Sequence, residues 1–120
     1  MGTTYTTAAL RSLTADRSPY EADFLVDTGS IDCLVSASRL RQAGVKEEGR
    51  ATYELANGSV VEYAYGFARI VFMGMETVTQ VIFGPEGCEP ILGVVALENT
   101  GIGVDPATRT LKRLSVKPLK

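Results

Sequence analysis

The stretch Phe24-Leu25-Val26-Asp27-Thr28-Gly29-Ser30 places an acid, a hydroxyl and a glycine directly after three apolar residues. The apolar residues predict the end of a buried strand, and the polar residues predict a tight turn. A carboxylate that a rigid strand delivers into such a turn is well placed for acid or base chemistry. Taken alone, the stretch fits equally a plain turn in which Asp27 bonds its own backbone, and both interpretations stay open at this point.

The composition limits which chemistry Asp27 could join. The chain has 120 residues and a net charge of -2, which predicts one domain over residues 1–120 and no basic surface for nucleic acid. It contains no histidine, so Ser-His-Asp catalysis, Cys-His catalysis and histidine-ligated metal sites are excluded. Cys33 and Cys88 are too few for a four-thiolate zinc site and are expected to be reduced thiols. Carboxylates, lysines and tyrosines remain for acid-base chemistry.

The spacing of turn residues is typical of an all-β domain, because Gly, Pro, Asn and Asp separate short stretches rich in Val, Ile, Tyr, Phe and Thr. The predicted strands cover Thr4 to Leu10, Tyr20 to Val26, Ala51 to Leu55, Ser59 to Val71, Glu76 to Phe83, Ile102 to Val104 and Thr110 to Val116. Two short helices are predicted from Ser36 to Gly44, with Ser36 as the N-cap, and from Val94 to Asn99, stopping at Gly101.

A second motif and a hairpin accompany the Asp27 stretch. Glu89-Pro90-Ile91-Leu92-Gly93 puts another apolar strand end against a glycine, just before the second predicted helix. Between the two motifs, β-rich arms flank the pair Asn57-Gly58, which predicts a two-residue hairpin loop. This order of features resembles the retroviral-type (retropepsin-like) aspartic proteases. The segment from Gly101 to Leu111 is similar to the strand-turn-strand of their cellular and bacterial members, so the resemblance spans roughly Tyr20 to Leu111.

The resemblance implies a small closed β barrel with one or two short helices, assembled as a homodimer. The sequence gives an independent reason for two copies. An aspartic protease uses two carboxylates that share a proton, because like charges a few ångströms apart do not both ionise. This chain has one Asp-Thr-Gly, so its catalytic Asp27 is expected to meet Asp27 of a second copy across a two-fold axis. The implied activity is endopeptidase cleavage of a peptide or protein substrate.

The resemblance also implies roles for other residues. Thr28 would bond across the dimer axis, Gly29 would offer its backbone to substrate, and Ser30 could donate to the Asp27 carboxylate. Ala56, Asn57 and Gly58 would form a flap tip, and Ile91, Leu92 and Gly93 would form the second motif. Viral members buttress the site with an acid–Arg ion pair next to these two motifs; here Ile31 and Val94 follow Ser30 and Gly93, so hydrophobic packing is expected to replace it.

Two functions other than a peptidase are compatible with parts of the sequence. A peptide-binding or dimerisation module could keep the same fold without cutting peptides. An Asp-x-Gly-Ser phosphate turn of actin-like ATPases would need several hundred residues, which excludes it for a chain of 120. No metal or cofactor is expected. The Thr-rich start lacks a signal-peptide pattern, and no apolar run approaches the roughly 18 residues of a membrane span, so a cytoplasmic protein without membrane contact is predicted.

Overall fold

The computed structural model describes residues 3–115 of the chain, which form nine strands and two short helices in that range. In chain order the elements are β1 (Tyr5–Arg11), β2 (Tyr20–Val26), β3 (Cys33–Ser36), α1 (Ala37–Gln42), β4 (Gly49–Glu54), β5 (Val60–Phe72), β6 (Met75–Gly84), β7 (Ile91–Leu92), α2 (Val94–Thr100), β8 (Ile102–Asp105) and β9 (Thr110–Arg113).

Six strands close into a barrel in the order β1-β2-β7-β3-β6-β5, because β5 pairs back onto β1 with Ala8 opposite Phe72. Closure leaves this ring without open edges. The barrel is filled by buried apolar side chains that alternate along the strands, most regularly along β5, as a strand with one face toward a core requires. The largest fully buried side chains are Leu10, Phe24, Ile70, Phe72 and Leu92 from the strands and Leu40 from α1. The predicted all-β closed barrel is therefore confirmed.

The hairpin stands outside that ring. β4 pairs only with the first half of β5, from Gly49 opposite Tyr65 to Glu54 opposite Val60. The second half of β5 pairs with β6 and β1 inside the barrel. One continuous strand of 13 residues thus carries the hairpin away from the barrel wall.

The two predicted helices form, but the N-cap hydrogen bond expected from Ser36 does not. Ser36 precedes α1, but its side chain makes no capping hydrogen bond; instead, the backbone N–H and the hydroxyl of Ser38 both donate to the Glu86 carboxylate. α2 stops at Gly101, as predicted, and Gly101 has the left-handed φ of 71° that suits glycine after a helix.

The strand predictions miss β3, because Ser36 was assigned to a helix start and the three residues before it are too few to show a period. The two-residue β7 was recognised only as an apolar strand end within the second motif. The last strand ends at Arg113, and Val116 lies outside the described residues. Both cysteines are free thiols: Cys33 is buried, which raises its pKa to about 11, and Cys88 is half-buried.

Candidate active site

Asp27 follows the last residue of β2 and is half-buried at the start of a turn. The N–H of Gly29 donates to Asp27 Oδ1 at 2.9 Å, and the N–H of Ser30 donates to the Asp27 carbonyl oxygen at 3.1 Å. The plain turn interpretation also predicts the first of these bonds, so it does not by itself separate the two interpretations of the stretch. Thr28 and Gly29 are exposed in the single chain, which leaves both free to face another molecule.

The second motif lies directly beside this turn. β7 runs parallel to β2, with Leu25 opposite Ile91 and Val26 opposite Leu92. The N–H of Asp27 donates to the Leu92 carbonyl oxygen at 3.0 Å. The apolar ends of the two motifs are thus neighbouring strands of one sheet, and Ile91 and Leu92 fix where the Asp27 backbone lies.

Gly93 lets the backbone after Ser30 pass unusually close. A Cβ on residue 93 would lie 2.5 Å from the carbonyl oxygen of Asp32 and 2.6 Å from that of Ile31, where no side chain fits. Because the two segments lie so close, the first N–H groups of α2 form hydrogen bonds to this backbone. The N–H of Val94 donates to the Ser30 carbonyl oxygen at 2.7 Å, and that of Val95 donates to the Ile31 carbonyl oxygen at 3.3 Å. A helix start has free N–H donors, and here they bind the loop of residues 27–32, which is called the site loop below.

These bonds correct one expectation. Hydrophobic packing by Ile31 and Val94 was predicted in place of an ion pair, but the Ile31 side chain is 68% exposed in the chain. Backbone hydrogen bonds from α2 buttress the loop instead. The Ser30 hydroxyl likewise departs from the expected bond to Asp27, because it donates to the Asp32 carbonyl oxygen at 3.3 Å.

The hairpin tip has a different loop from the one predicted. Leu55 and Ser59 are bonded across it, with Leu55 N–H donating to the Ser59 carbonyl oxygen at 2.8 Å, so the loop contains three residues, Ala56, Asn57 and Gly58. Gly58 has a φ of +85°, and its N–H donates back to the Leu55 carbonyl oxygen. A turn closed by one left-handed glycine is the usual three-residue hairpin loop. The Asn57 side chain accepts from the backbone and hydroxyl of Ser59.

A cleft of about 550 Å³ lies between the site loop and the hairpin. Most of its lining is apolar, with two carboxylates among the side chains. The lining comprises Gly29, Ser30, Ile31, Asp32, Leu34, Thr52, Tyr53, Glu54, Leu55, Tyr63, Ile82, Pro85, Cys88 and Ile91. The lining therefore combines part of the site loop, Ile91 of the second motif and the hairpin arms. The predicted site residues outside the lining are Asp27, Thr28, Leu92, Gly93 and the tip residues Ala56, Asn57 and Gly58.

The cleft contains a polar cluster that the sequence did not reveal. Tyr53 from β4 and Gln80 from β6 both donate to Asp32 Oδ2, each at 3.2 Å. Burial raises the pKa of Asp32, although the hydrogen bond from Tyr53 acts in the opposite direction. The only sign of Asp32 in the sequence is that it follows Asp27 by five residues. Strand register brings Tyr53 and Gln80 next to Asp32, and that register cannot be read from the sequence.

The site offers no set of metal ligands. Within residues 3–115, no group of three or more Cys, Asp or Glu side chains is arranged to hold a metal ion. In the same residues, no helix has both the length and the apolar character that crossing a membrane would require.

Comparison with known proteins identifies the fold. No family model and no curated protein matches the sequence. Among solved structures, the chain is similar to the EIAV protease in complex with the inhibitor HBY-793, with a TM-score of 0.62 and 19% identity over 84% of this chain and 90% of that one. At this identity the likeness concerns the fold. The chain has the retropepsin-like fold.

Proposed function

We propose that this chain is a homodimeric aspartic endopeptidase. The observation that supports it best is the placement of Asp27: a carboxylate at a strand end, on a loop that β7 and α2 hold through the backbone, beside a cleft covered on its other side by a hairpin. A catalytic acid needs such fixed geometry, whereas a plain turn on a surface does not.

The chemistry requires two copies of Asp27. Peptide hydrolysis at such a site uses one ionised carboxylate to take a proton from a water molecule, which attacks the scissile carbonyl carbon. The other carboxylate, protonated, donates to the carbonyl oxygen. Two carboxylates that share one proton divide these tasks, because repulsion between two negative charges keeps that proton on the pair. With one Asp-Thr-Gly in the chain, the partner carboxylate is Asp27 of a second subunit.

The surroundings of Asp27 suit an extended peptide. The exposed backbone at Gly29 is available to a peptide main chain, and the apolar lining suits its side chains. In this proposal the hairpin of β4 and β5 acts as the flap, with Ala56, Asn57 and Gly58 at its tip, and exposed Thr28 bonds across the dimer axis. Ser30, whose hydroxyl bonds the Asp32 carbonyl, supports the loop instead of tuning the carboxylate.

The decisive experiment replaces the proposed catalytic acid. Asp27→Asn keeps the shape of the side chain but removes the base, so the purified variant should cleave no peptide from a mixed library that the wild type cleaves. Asp23→Asn is the matched control, since Asp23 is exposed on β2, the strand that leads to Asp27, and accepts only a hydroxyl bond from Thr7 among the contacts described. Wild-type binding of a peptide mimic with a hydroxyl at the scissile position is also expected.

Two outcomes would oppose the proposal. Cleavage that persists in Asp27→Asn would remove Asp27 from the mechanism. A wild type that binds peptides or the hydroxyl mimic but cuts none would favour the alternative, a non-catalytic peptide-binding or dimerisation module.

The shared site has its own test. Because each chain supplies half of the carboxylate pair, activity per chain should fall on dilution in step with the dimer fraction measured by mass. Constant activity per chain in a verified monomer would contradict a homodimeric site.

Several predictions from the sequence accompany the proposal without a test. They are a single domain over residues 1–120, a closer kinship to cellular and bacterial retropepsin-like proteins than to viral ones, a cytoplasmic location, and a reaction without metal, cofactor or nucleic acid.

A further inference from the structure

The Asp32 carboxylate joins three separate elements through one oxygen. The Tyr53 hydroxyl and the Gln80 side-chain amide each donate to Asp32 Oδ2 at 3.2 Å, and the same amide reaches the Tyr53 hydroxyl oxygen at 3.4 Å. All three side chains are half-buried. The three groups therefore form a closed triangle of hydrogen bonds, which is called the Asp32 cluster below.

The positions of its members make the cluster a link between the hairpin and the rest of the site. Asp32 lies in the site loop, between Ser30 and β3. Gln80 lies in β6, which is part of the barrel wall. Tyr53 is the second-last residue of β4, a strand outside the barrel ring. The other hydrogen bonds from hairpin side chains, Arg50 to Glu62 and within Asn57–Ser59, stay inside the hairpin.

The energetics of the cluster favour a functional role over a purely structural one. Asp32 takes part in none of the ion pairs between described residues, which join Arg41 to Glu47, Arg50 to Glu62 and Arg69 to Glu76. Burial without a cation disfavours the charged carboxylate, and it raises the pKa of Tyr53 as well. A pair of neutral side chains could link the site loop to the hairpin with a smaller loss of folding stability. Groups that lower stability are characteristic of functional sites.

We propose that Asp32 and Tyr53 are positioning residues, in that their hydrogen bond, braced by Gln80, holds the hairpin arm against the site loop so that the hairpin closes over a bound peptide. The inference rests on the proposed function for its catalytic meaning. Opening of the hairpin breaks the bond from Tyr53 to Asp32, while the bond from Gln80 keeps the carboxylate in place. Asp32 and Tyr53 do not act on the scissile bond themselves.

Hydrogen exchange tests the hold on the hairpin without any substrate. Tyr53→Phe removes the donor but keeps the ring beside Tyr63, whose centroid is 6.3 Å away, and Asp32→Ala removes the acceptor. Each variant of the full chain should exchange its amides in residues 49–62 about tenfold faster, equivalent to about 1.4 kcal/mol. The double variant should exchange no faster than the single ones, because all three remove the same bond. Strands β1 and β2 should be unchanged.

Two further variants separate the cluster from general damage. Asp32→Asn keeps an oxygen for the Tyr53 hydroxyl, so it should restore most of the wild-type protection. Tyr20→Phe removes a hydroxyl from β2, where the ring packs near Phe24 and outside the cleft, and should leave exchange of the hairpin unchanged.

Kinetics then test the catalytic meaning. With a peptide that the wild type cleaves, Tyr53→Phe should raise KM about tenfold with a smaller change in kcat, because the hairpin is held less well over the bound peptide. A merely structural role would lower the melting temperature without this separation of KM from kcat.

Each result decides a separate point. Unchanged exchange at the hairpin in both Tyr53→Phe and Asp32→Ala would overturn the inference, whatever the cleavage assay shows. Faster exchange with unaltered KM would overturn the positioning role. If the wild type cleaves nothing, the proposed function fails, and the exchange data still decide whether the cluster holds the hairpin.

Discussion

The site loop and the hairpin face the same cleft, but they are held in opposite ways. The backbone from Asp27 to Ile31 receives hydrogen bonds from α2 and donates one to β7, and Gly93 admits it at close range. The hairpin beyond Tyr53 is exposed throughout residues 54–60, and the bonds at its tip are local. The site loop is therefore bonded to the barrel along its length, whereas the hairpin is bonded to the rest of the molecule only near the barrel and not at its tip.

This difference suggests a division of tasks within one small chain. Segments with few buried contacts open at low free energy, while segments bonded into a core open only with the whole fold. A catalytic carboxylate benefits from the second property and a cover that admits peptides from the first. The comparison can be tested by damaging each region separately.

The largest effect is expected at Gly93. Gly93→Ala places a Cβ about 2.5 Å from the Asp32 carbonyl oxygen, so the site loop and α2 must move apart. Overpacking against backbone costs about 1–3 kcal/mol or more, and here it also shifts the loop that carries Asp27. Urea unfolding and a peptide assay should show lower stability and strongly reduced activity together.

Gly103→Ala is the control for that variant. Gly103 lies in β8, and a Cβ there would meet only Leu114 at an ordinary 3.8 Å. It should change neither measurement appreciably. If Gly93→Ala kept wild-type stability and activity, the loop would not be held as tightly as its contacts indicate.

A smaller effect, which lowers activity but not stability, is expected at the hairpin tip. Gly58→Ala forces a side chain into the left-handed region at a φ of +85°, with nothing within 4 Å of the new Cβ. The local strain is about 1–2 kcal/mol, but the exposed tip can relax without unfolding the barrel. Catalytic efficiency should therefore fall while the melting temperature changes little.

Gly44→Ala gives a comparison away from the cleft, because Gly44 also has a φ of +85° but follows α1. Its new Cβ would, in addition, meet the side chains of Asp16 and Arg17 at 3.3 Å. Its strain should lower the melting temperature and leave catalytic efficiency unchanged. An equal loss of melting temperature in both variants would mean that the tip is as firmly built as the barrel, which would remove the contrast between the two regions.

The sequence predicted the parts of this comparison that depend on local pattern. The strand that became β5 and the strand ends before Asp27 and Gly93 were predicted correctly, because strand-forming residue types and turn residues are local properties. The closed barrel was implied by the resemblance to the retropepsin-like proteases that the order of motifs carries. The hairpin turn at Asn57-Gly58 was also predicted, although the loop has three residues instead of two.

The rest depended on partners that are distant in sequence. The two-residue β7 has no period of its own and exists because β2 and β3 lie on either side of it. The Glu86 carboxylate accepts a hydrogen bond from Ser38, which lies 48 residues earlier in the chain. Helix-capping patterns concern neighbouring residues and do not indicate such a contact. The sequence gives no sign of the role of Asp32 for the same reason, since its bonds to Tyr53 and Gln80 depend on the register of the strands from β3 to β4 across the sheet.

The smallest expected effect concerns Asp32, which lies where the two regions meet. Burial raises its pKa in the folded protein above its usual range. Between the usual range and the raised value, the folded state therefore binds more protons than the unfolded state, so the contribution of Asp32 to stability falls as pH rises through that window. Asp32→Asn has no such titration. The unfolding free energy of the variant minus that of the wild type should increase with pH across the window and then level off, as urea unfolding at several pH values would show. A difference that decreases with pH would mean that the hydrogen bonds from Tyr53 and Gln80 outweigh burial and lower the pKa of Asp32 in the folded protein.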